Sequence, residues 1–397
     1  MKGLFEIARI LIATLVLLLI PAAGFAQSST DRDSPDHAPA ATTSADSTSD
    51  PTTMLGQHEF GRFWISGQVN VILQWHSSFP VKYSGPNSLR SQGENATSRV
   101  LTLYTGMRLT DHLEALVDVE SAGGHGISEA FGLAGLTNLD VVRNPTLGSA
   151  PYIARAMLHA VIPLSKEIEE SEPGPFSLFK KLPRHRLEIR FGKLGMADFF
   201  DVNSAGGDSH LQFLNWTTDN NGAFDYAADT RGYTYALMLE YQDKSWGLRF
   251  AEAMMPKVAN GIHLDANLAR ARAENLELEL RRDYIPKHHG VLRLLAYANH
   301  ADMGSYREAI DAFLSGQDPI PNITAHERQG RVKYGFGANF EQELGHGLTF
   351  FGRTGWNEGR NESFAYTEVN DSFEAGAAFA GRSWRRPLDK AGLVMST

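Results

Sequence analysis

The sequence predicts an all-β fold, an antiparallel transmembrane β-barrel with one short helix in a loop. Three observations predict it: apolar/polar alternation that recurs along most of the chain, an export-type N-terminus, and turns that alternate between short and long. The 397 residues are 42% hydrophobic and 21% charged, with a mean hydropathy of −0.27. That average does not exclude a membrane protein, because a barrel strand alternates and never builds the long apolar run of a spanning helix.

The first element, MKGLFEIARILIATLVLLLIPAAGFAQ, has the parts of a secretory signal peptide over residues 1–26. Lys2 and Arg9 form a basic start, Ile10 to Ile20 an apolar run, and Gly24-Phe25-Ala26 a small-x-small cleavage pattern. The run falls short of the ~20 residues a spanning helix needs. Residues 27–57 follow as a Ser/Thr/Ala/Pro-rich spacer, too poor in apolar side chains to offset the entropy of ordering. Residues 58–397 are the expected barrel domain. The chain is acidic, with net charge −9 and no basic block, which argues against nucleic acid. It has no cysteine, so its stability must come from packing or closure, without disulfides.

Period-two segments begin with Ile65, Val69, Val71, Leu73 and Trp75 against Ser66, Gln68, Asn70 and Gln74. Others run through 101–109, 113–120, 187–191, 233–241, 246–250, 334–341 and 373–379, and the pattern suggests about a dozen strands. NLELELRRDY, from Asn275, has helix-favouring residues, yet its alternation is unbroken to Arg281; a helix would scatter those leucines around its circumference. GSYREAIDAFLSG breaks the period: Tyr306, Ala309, Ile310, Phe313 and Leu314 sit at helical spacing behind a Ser305/Glu308 capping box. Gly123 to Pro151 and Leu164 to Arg184 read as long loops, and TDH, QDK and ELGHG as tight turns. Such alternation of apolar and polar parity also suits a soluble two-sheet sandwich. Aromatics near strand ends (Trp75, Tyr233, Tyr241, Trp246, Phe340, Trp356), together with the export signal, favour the barrel.

No catalytic or metal motif stands out, and no cofactor is expected. His288-His289 reads as a turn without partner ligands, and GFGANF lacks the strand-then-helix context of a dinucleotide site. Glu277 and Glu279 share a face at a spacing that could suit a carboxylate pair, but wall charge explains them as well.

NNGAFDYAADTRGYTYALMLEYQDKSWGLRFAEAMMP resembles the carbohydrate-selective porins of Gram-negative outer membranes, the OprB-type family. FGLAGLTNLDVVRNP, PYIARAMLHAVIPLS, FGKLGMADFFDVN, ANHADMGSYREAI, KYGFGANFEQEL, FFGRTGWNEG and GRSWRRPLDKAGL agree, in the family's order. The resemblance implies a 16-stranded barrel that passes small sugars by diffusion, with an inward-folded loop narrowing the pore. It also implies further strands and a terminal aromatic after DKAGL, so that a chain stopping at Met395-Ser396-Thr397 is expected to be a C-terminally incomplete barrel.

Sugars present hydroxyls to charged side chains and C–H faces to aromatics, so selection would rest on pore width and lining polarity. By polar parity the candidate lining is Arg108, Asp118, Glu120, Arg155, Glu188, Arg190, Glu240, Arg249, Glu277, Glu279 and Arg281. Each could equally be an ion pair bracing the wall. Asp225, Asp229 and Arg231, beside turn residues, fit rim packing or sugar contact. Expected partners are small sugars and outer-membrane lipid, in a homotrimer or a monomer. A secreted carbohydrate-active β protein and a non-conducting barrel or adhesin are the alternatives.

Overall fold

The computed structural model describes residues 58–141, 147–364 and 369–397. The expected signal peptide and spacer lie outside the described residues, as does the end of FGLAGLTNLDVVRNP beyond Val141.

In chain order the strands are β1 Glu59–Phe60, β2 Phe63–His76, β3 Glu94–Arg108, β4 Leu113–Gly124, β5 Tyr152–Pro163, β6 Ile168–Glu170, β7 Lys181–Pro183 and β8 Arg186–Leu194. They continue as β9 Thr234–Gln242, β10 Trp246–Met254, β11 Arg272–Ile285, β12 His288–Met303, β13 Arg328–Gly345, β14 Leu348–Asn357, β15 Asp371–Ala380 and β16 Lys390–Ser396. Among the described residues two short α-helices are α1 Trp216–Asp219 and α2 Tyr306–Leu314. One antiparallel sheet of fourteen strands runs β1-β2-β3-β4-β5-β8-β9-β10-β11-β12-β13-β14-β15-β16, while β6 and β7 pair only with each other. Every neighbour in the wall is thus a sequence neighbour, once that small hairpin is set aside.

Alternation becomes burial with the sense of a membrane protein. On β11, Leu276 is 46% exposed and Glu277 fully buried; on β2, Val69, Leu73 and Trp75 are each more than 70% exposed while Ser66 is buried. A soluble sandwich would bury the leucines, whereas lipid takes them in a barrel and leaves the polar parity inside. NLELELRRDY is accordingly strand, in register with β10 through Arg249↔Glu277 and Leu248↔Leu278.

What fills the interior is the loop between β8 and β9. Phe199, Phe200, Trp216, Phe224 and Tyr226 of this loop pack on Ala236, Ala251, Ala253, Ala273 and Ala301, small residues on the inner parity of the wall. The same loop reaches Gln68 on β2 through His210, Asn339 on β13 through Asn203, and Ser396 on β16 through Thr217. A sheet whose first and last long strands both meet one loop must curl around it.

Helix α2 forms as its spacing predicts. Ser305 Oγ accepts from the Glu308 N–H at 3.5 Å, and Gly316 just beyond takes φ +75, a left-handed conformation that ends helices. Three expectations are corrected. His288 and His289 begin β12, and His288 pairs with Ile285 across the Pro286-Lys287 turn, so they are strand residues. The segment from Leu164 to Arg184 contains the β6–β7 hairpin. Tyr233 is no membrane-edge aromatic: it is 8% exposed and faces inward, while Tyr235 faces out at 51%. The cause is the turn before β9. Asp229 Oδ1 accepts from the N–H groups of Arg231 and Tyr233, and Gly232 takes φ +94, so the chain enters β9 only at Thr234.

Candidate functional site: the lumen and its constriction

Strand register places the inner charges side by side. Glu240, Arg249 and Glu277 lie directly opposite one another on β9, β10 and β11, and Glu279 lies opposite Arg293 on β11 and β12. Arg249 donates to Glu240 at 2.6 Å, Glu277 at 2.7 Å and Glu279 at 3.0 Å. Arg293 bridges Glu279 at 2.9 Å to Glu341 at 2.6 Å. In the other direction Arg190 joins Glu240 at 3.0 Å to Glu188 at 2.6 Å, and His159 stands between Glu188 at 2.8 Å and Glu114 at 2.7 Å. The result is a continuous hydrogen-bonded belt from β4 to β13, with charges that alternate in sign from Glu188 onward. Out of water, each member needs the next, because an unpaired buried charge is costly.

The belt also anchors the inserted loop. Glu277 accepts from the Asp201 N–H at 2.6 Å, and Arg353 on β14 donates to Asp201 at 2.6 Å and Glu374 at 3.2 Å. Asn339 and Asn203 pair at 2.8 Å, and Tyr297 donates to Ala223 O at 2.7 Å. On the far side, Arg155 grips Asp198 with two bonds of 2.7 Å.

Loop and wall do not touch everywhere. Between them and strands β2 to β5 lies a cavity of about 810 Å³, lined by Trp64, Gln68, Tyr104, Glu120, Tyr152, Arg155, Phe176, Asp198, Arg231 and Tyr233 among others. Glu120 accepts from Tyr233 Oη at 3.0 Å, Thr102 Oγ1 at 3.2 Å and Tyr152 Oη. The Arg231 guanidinium lies 3.8 Å over the Tyr152 ring, and that of Arg155 lies 5.1 Å from the Phe176 ring and 5.2 Å from the Tyr233 ring. Aromatic faces, fixed guanidinium groups and a carboxylate thus share one water-accessible narrowing. A second hollow of about 640 Å³, over Phe336, Trp356 and Phe373, lies on the lipid side of the wall, away from this chemistry.

Two loop groups carry shifted pKa values. Burial works against charge on His210, but Asp140 and Asp208 outweigh it and raise the imidazole to about 10. Burial raises Asp219 to about 7, against the pull of Arg353 and with Asp208 adding to the rise.

All but one of the residues picked by parity divide in two. Glu120 and Arg155 line the cavity, with Asp118 beneath, 3.2 Å from Arg155. Glu188, Arg190, Glu240, Arg249, Glu277 and Glu279 belong to the belt. Arg281 closes the belt at a turn, holding Glu279 at 2.6 Å and Trp246 O at 2.9 Å. Arg108 stands apart at the tight-turn end, donating to Gly61 O at 3.2 Å. Of the turn residues, Asp229 and Arg231 line the cavity, whereas Asp225 ties the loop to the β14–β15 connection by accepting from the Phe364 N–H. Parity missed Arg293 and Arg353, which share the inner face, and Tyr152, Phe176 and Tyr233, which depend on loop placement.

An antiparallel membrane wall with a polar, charged interior and an inserted loop defines a porin, a diffusion channel of the outer membrane. Residues 86–397 match the family model described as carbohydrate-selective porin, OprB family, and the chain belongs to that family. It is an outer-membrane porin of the Gram-negative type for passive passage of small sugars. No curated protein matches it. Similar solved structures include Salmonella typhi OmpF in complex with daunomycin (8% identity, 85% of this chain and 97% of that one, TM-score 0.34). Another is Pseudomonas aeruginosa OccK8 (OprE), with 8% identity, 84% and 83% coverage and TM-score 0.36. A third, a refined porin structure, has 9% identity, 84% and 94% coverage and TM-score 0.30. At these scores the likenesses carry no weight beside the family match.

Proposed function

We propose that sugars cross at the cavity between the inserted loop and strands β2 to β5, and that Glu120, Arg155, Arg231 and Tyr233 make the selective contacts. The observation that carries this reading is the coincidence of stacked aromatics, two fixed guanidinium groups and a carboxylate at one opening. Guanidinium and carboxylate edges bond hydroxyls, while ring faces take C–H surfaces; the opposed charges orient a neutral polar solute without strongly favouring an ion.

In this reading the belt from Glu188 to Arg281 is bracing, and acts on solutes mainly through its field. Arg108 has no part in sugar contact. Residues 1–26 are cleaved on export and 27–57 serve as a spacer ahead of the barrel domain, 58–397. The protein is a channel and not an enzyme, and works as a monomer or a homotrimer.

Liposome swelling with glucose against an amino acid of similar size tests the proposal. Faster swelling with glucose, lost in Arg231→Ala and Tyr233→Ala, is expected. Equal swelling for both solutes in the unaltered protein would sink the assignment of these contacts.

A further inference from the structure

The β6–β7 hairpin is no part of the wall, yet it enters the barrel. It leaves β5 at Pro163, the end where the other turns are tight and which faces the periplasm in such barrels. Leu178 and Phe179, on its return arm, are only 2% and 5% exposed. The Leu178 N–H donates to Glu114 at 2.9 Å, and Phe179 lies edge-on to His159 at 5.5 Å. Gly106 on β3 makes room: a Cβ there would lie 2.8 Å from Leu178 Cδ1. The Glu114–His159–Glu188 end of the belt is therefore covered by this hairpin and shut off from the lumen.

From that anchor the tip climbs. Gly174 N–H donates to Ser177 O at 2.7 Å, closing a tight turn that presents Phe176. The Phe176 ring meets Phe199 of the long loop at 5.6 Å and the Arg155 guanidinium at 5.1 Å. Arg155 is eight residues up β5 from Pro163, roughly 26 Å along the strand at ~3.3 Å per residue. Loops entering from opposite ends thus touch inside the barrel. Unlike its buried neighbours, Phe176 keeps 36% of its surface open to the cavity. A hairpin that served only to cover the wall would have no reason to hold a phenyl ring there.

We propose that this hairpin is a second jaw of the constriction, and that Phe176 is a specificity-determining residue of the sugar path. Its open ring is a platform for the C–H face of a sugar, and it positions Arg155. Phe176 and Tyr233 both lie within cation–π distance of that guanidinium while Asp198 fixes its edge. The proposal rests on the cavity being the path of sugar passage.

The chain has no cysteine, so Phe176→Cys creates a unique thiol in the full-length channel. In planar bilayers, a bulky methanethiosulfonate reagent should cut the single-channel current of Phe176→Cys sharply and leave Lys166→Cys, at the hairpin's base, unchanged. Before modification, Phe176→Cys should lose about threefold in glucose preference over an amino acid, the scale of one lost aromatic contact, and Phe176→Tyr should keep it. Pro175→Cys gives the same block should Phe176→Cys fail to insert. Unaltered current after labelling at both tip positions overturns the proposal while the unmodified channel still conducts. An unmodified protein that passes no sugar overturns the channel path itself.

Discussion

Arg353 and Asp201 meet at 2.6 Å with about 1% of either side chain exposed, the wall holding the loop by a buried charge pair. Asp201 takes a left-handed backbone, φ +58, which asparagine also tolerates, so Asp201→Asn removes charge without new backbone strain. Arg353 then keeps only Glu374, at 3.2 Å, as a charged partner. A cost of about 3 kcal/mol is expected from a half-broken buried pair. It should be read as a lower thermal unfolding temperature in detergent, with larger and noisier single-channel current as the loop lifts from β14. A quiet channel of unchanged conductance would show that the loop is held elsewhere.

Arg249 serves three carboxylates at once. Arg249→Met keeps the stem's volume but leaves Glu240 to Arg190, Glu279 to Arg281 and Arg293, and Glu277 with the Asp201 N–H and no ion-pair partner among the described residues. The loss should again be about 3–5 kcal/mol. Reversal potentials in a salt gradient should shift toward cations, because the belt has lost one positive charge. Glucose preference should hold, since Arg249 does not line the cavity; a lost preference would bring the belt into sugar recognition.

How much of this was legible in the sequence depends on locality. A strand's parity is fixed by its own residues, so the alternation found the wall, and Glu240, Arg249 and Glu277 were placed on its inner side. Parity alone could not tell a lining charge from a bracing one, because that depends on which strand lies next door and in which register. Tyr233 was misplaced because the Asp229 turn, and not the strand period, sets its direction. Phe176 was invisible: nothing near PGPFS announces that it will meet Phe199 and Arg155 from the opposite end of the barrel. The inner alanines were the one local hint of the inserted loop, for they make room for Phe200 and Phe224.

His210 ties the loop to the first long strand. It lies 3.2 Å from Asp140 and 3.3 Å from Gln68 on β2, with Asp208 at 3.6 Å. Its folded-state pKa of about 10 stands above the ordinary 6.5, so the bound proton stabilises the pairing with Asp140, which Asn70 on β2 in turn holds. That contribution is complete below the unfolded value and fades as pH rises through about 10. His210→Gln should mimic the alkaline state at neutral pH, giving higher conductance and faster proteolysis of the 195–233 loop. Identical proteolysis rates for the two proteins would remove His210 as a tether.

Asp219 shares that sign at lower pH, with burial rather than ion pairing as its cause. Its pKa of about 7 lies above the ordinary carboxylate value of 3.8, so between these values the folded protein holds a proton that the unfolded chain has released. Stability from this group is therefore greatest in acid, falls as pH climbs through about 7, and is flat above it. Asp219 also lines the cavity, so its ionisation adds a negative charge to the path itself. Cation preference, read from reversal potentials in a potassium chloride gradient, should therefore rise with a midpoint near pH 7. His210 stays protonated across this window, so it does not mask the step. Asp219→Asn should abolish the step and hold the channel at its acid-side selectivity; a midpoint that persists in that variant would assign the titration to another group.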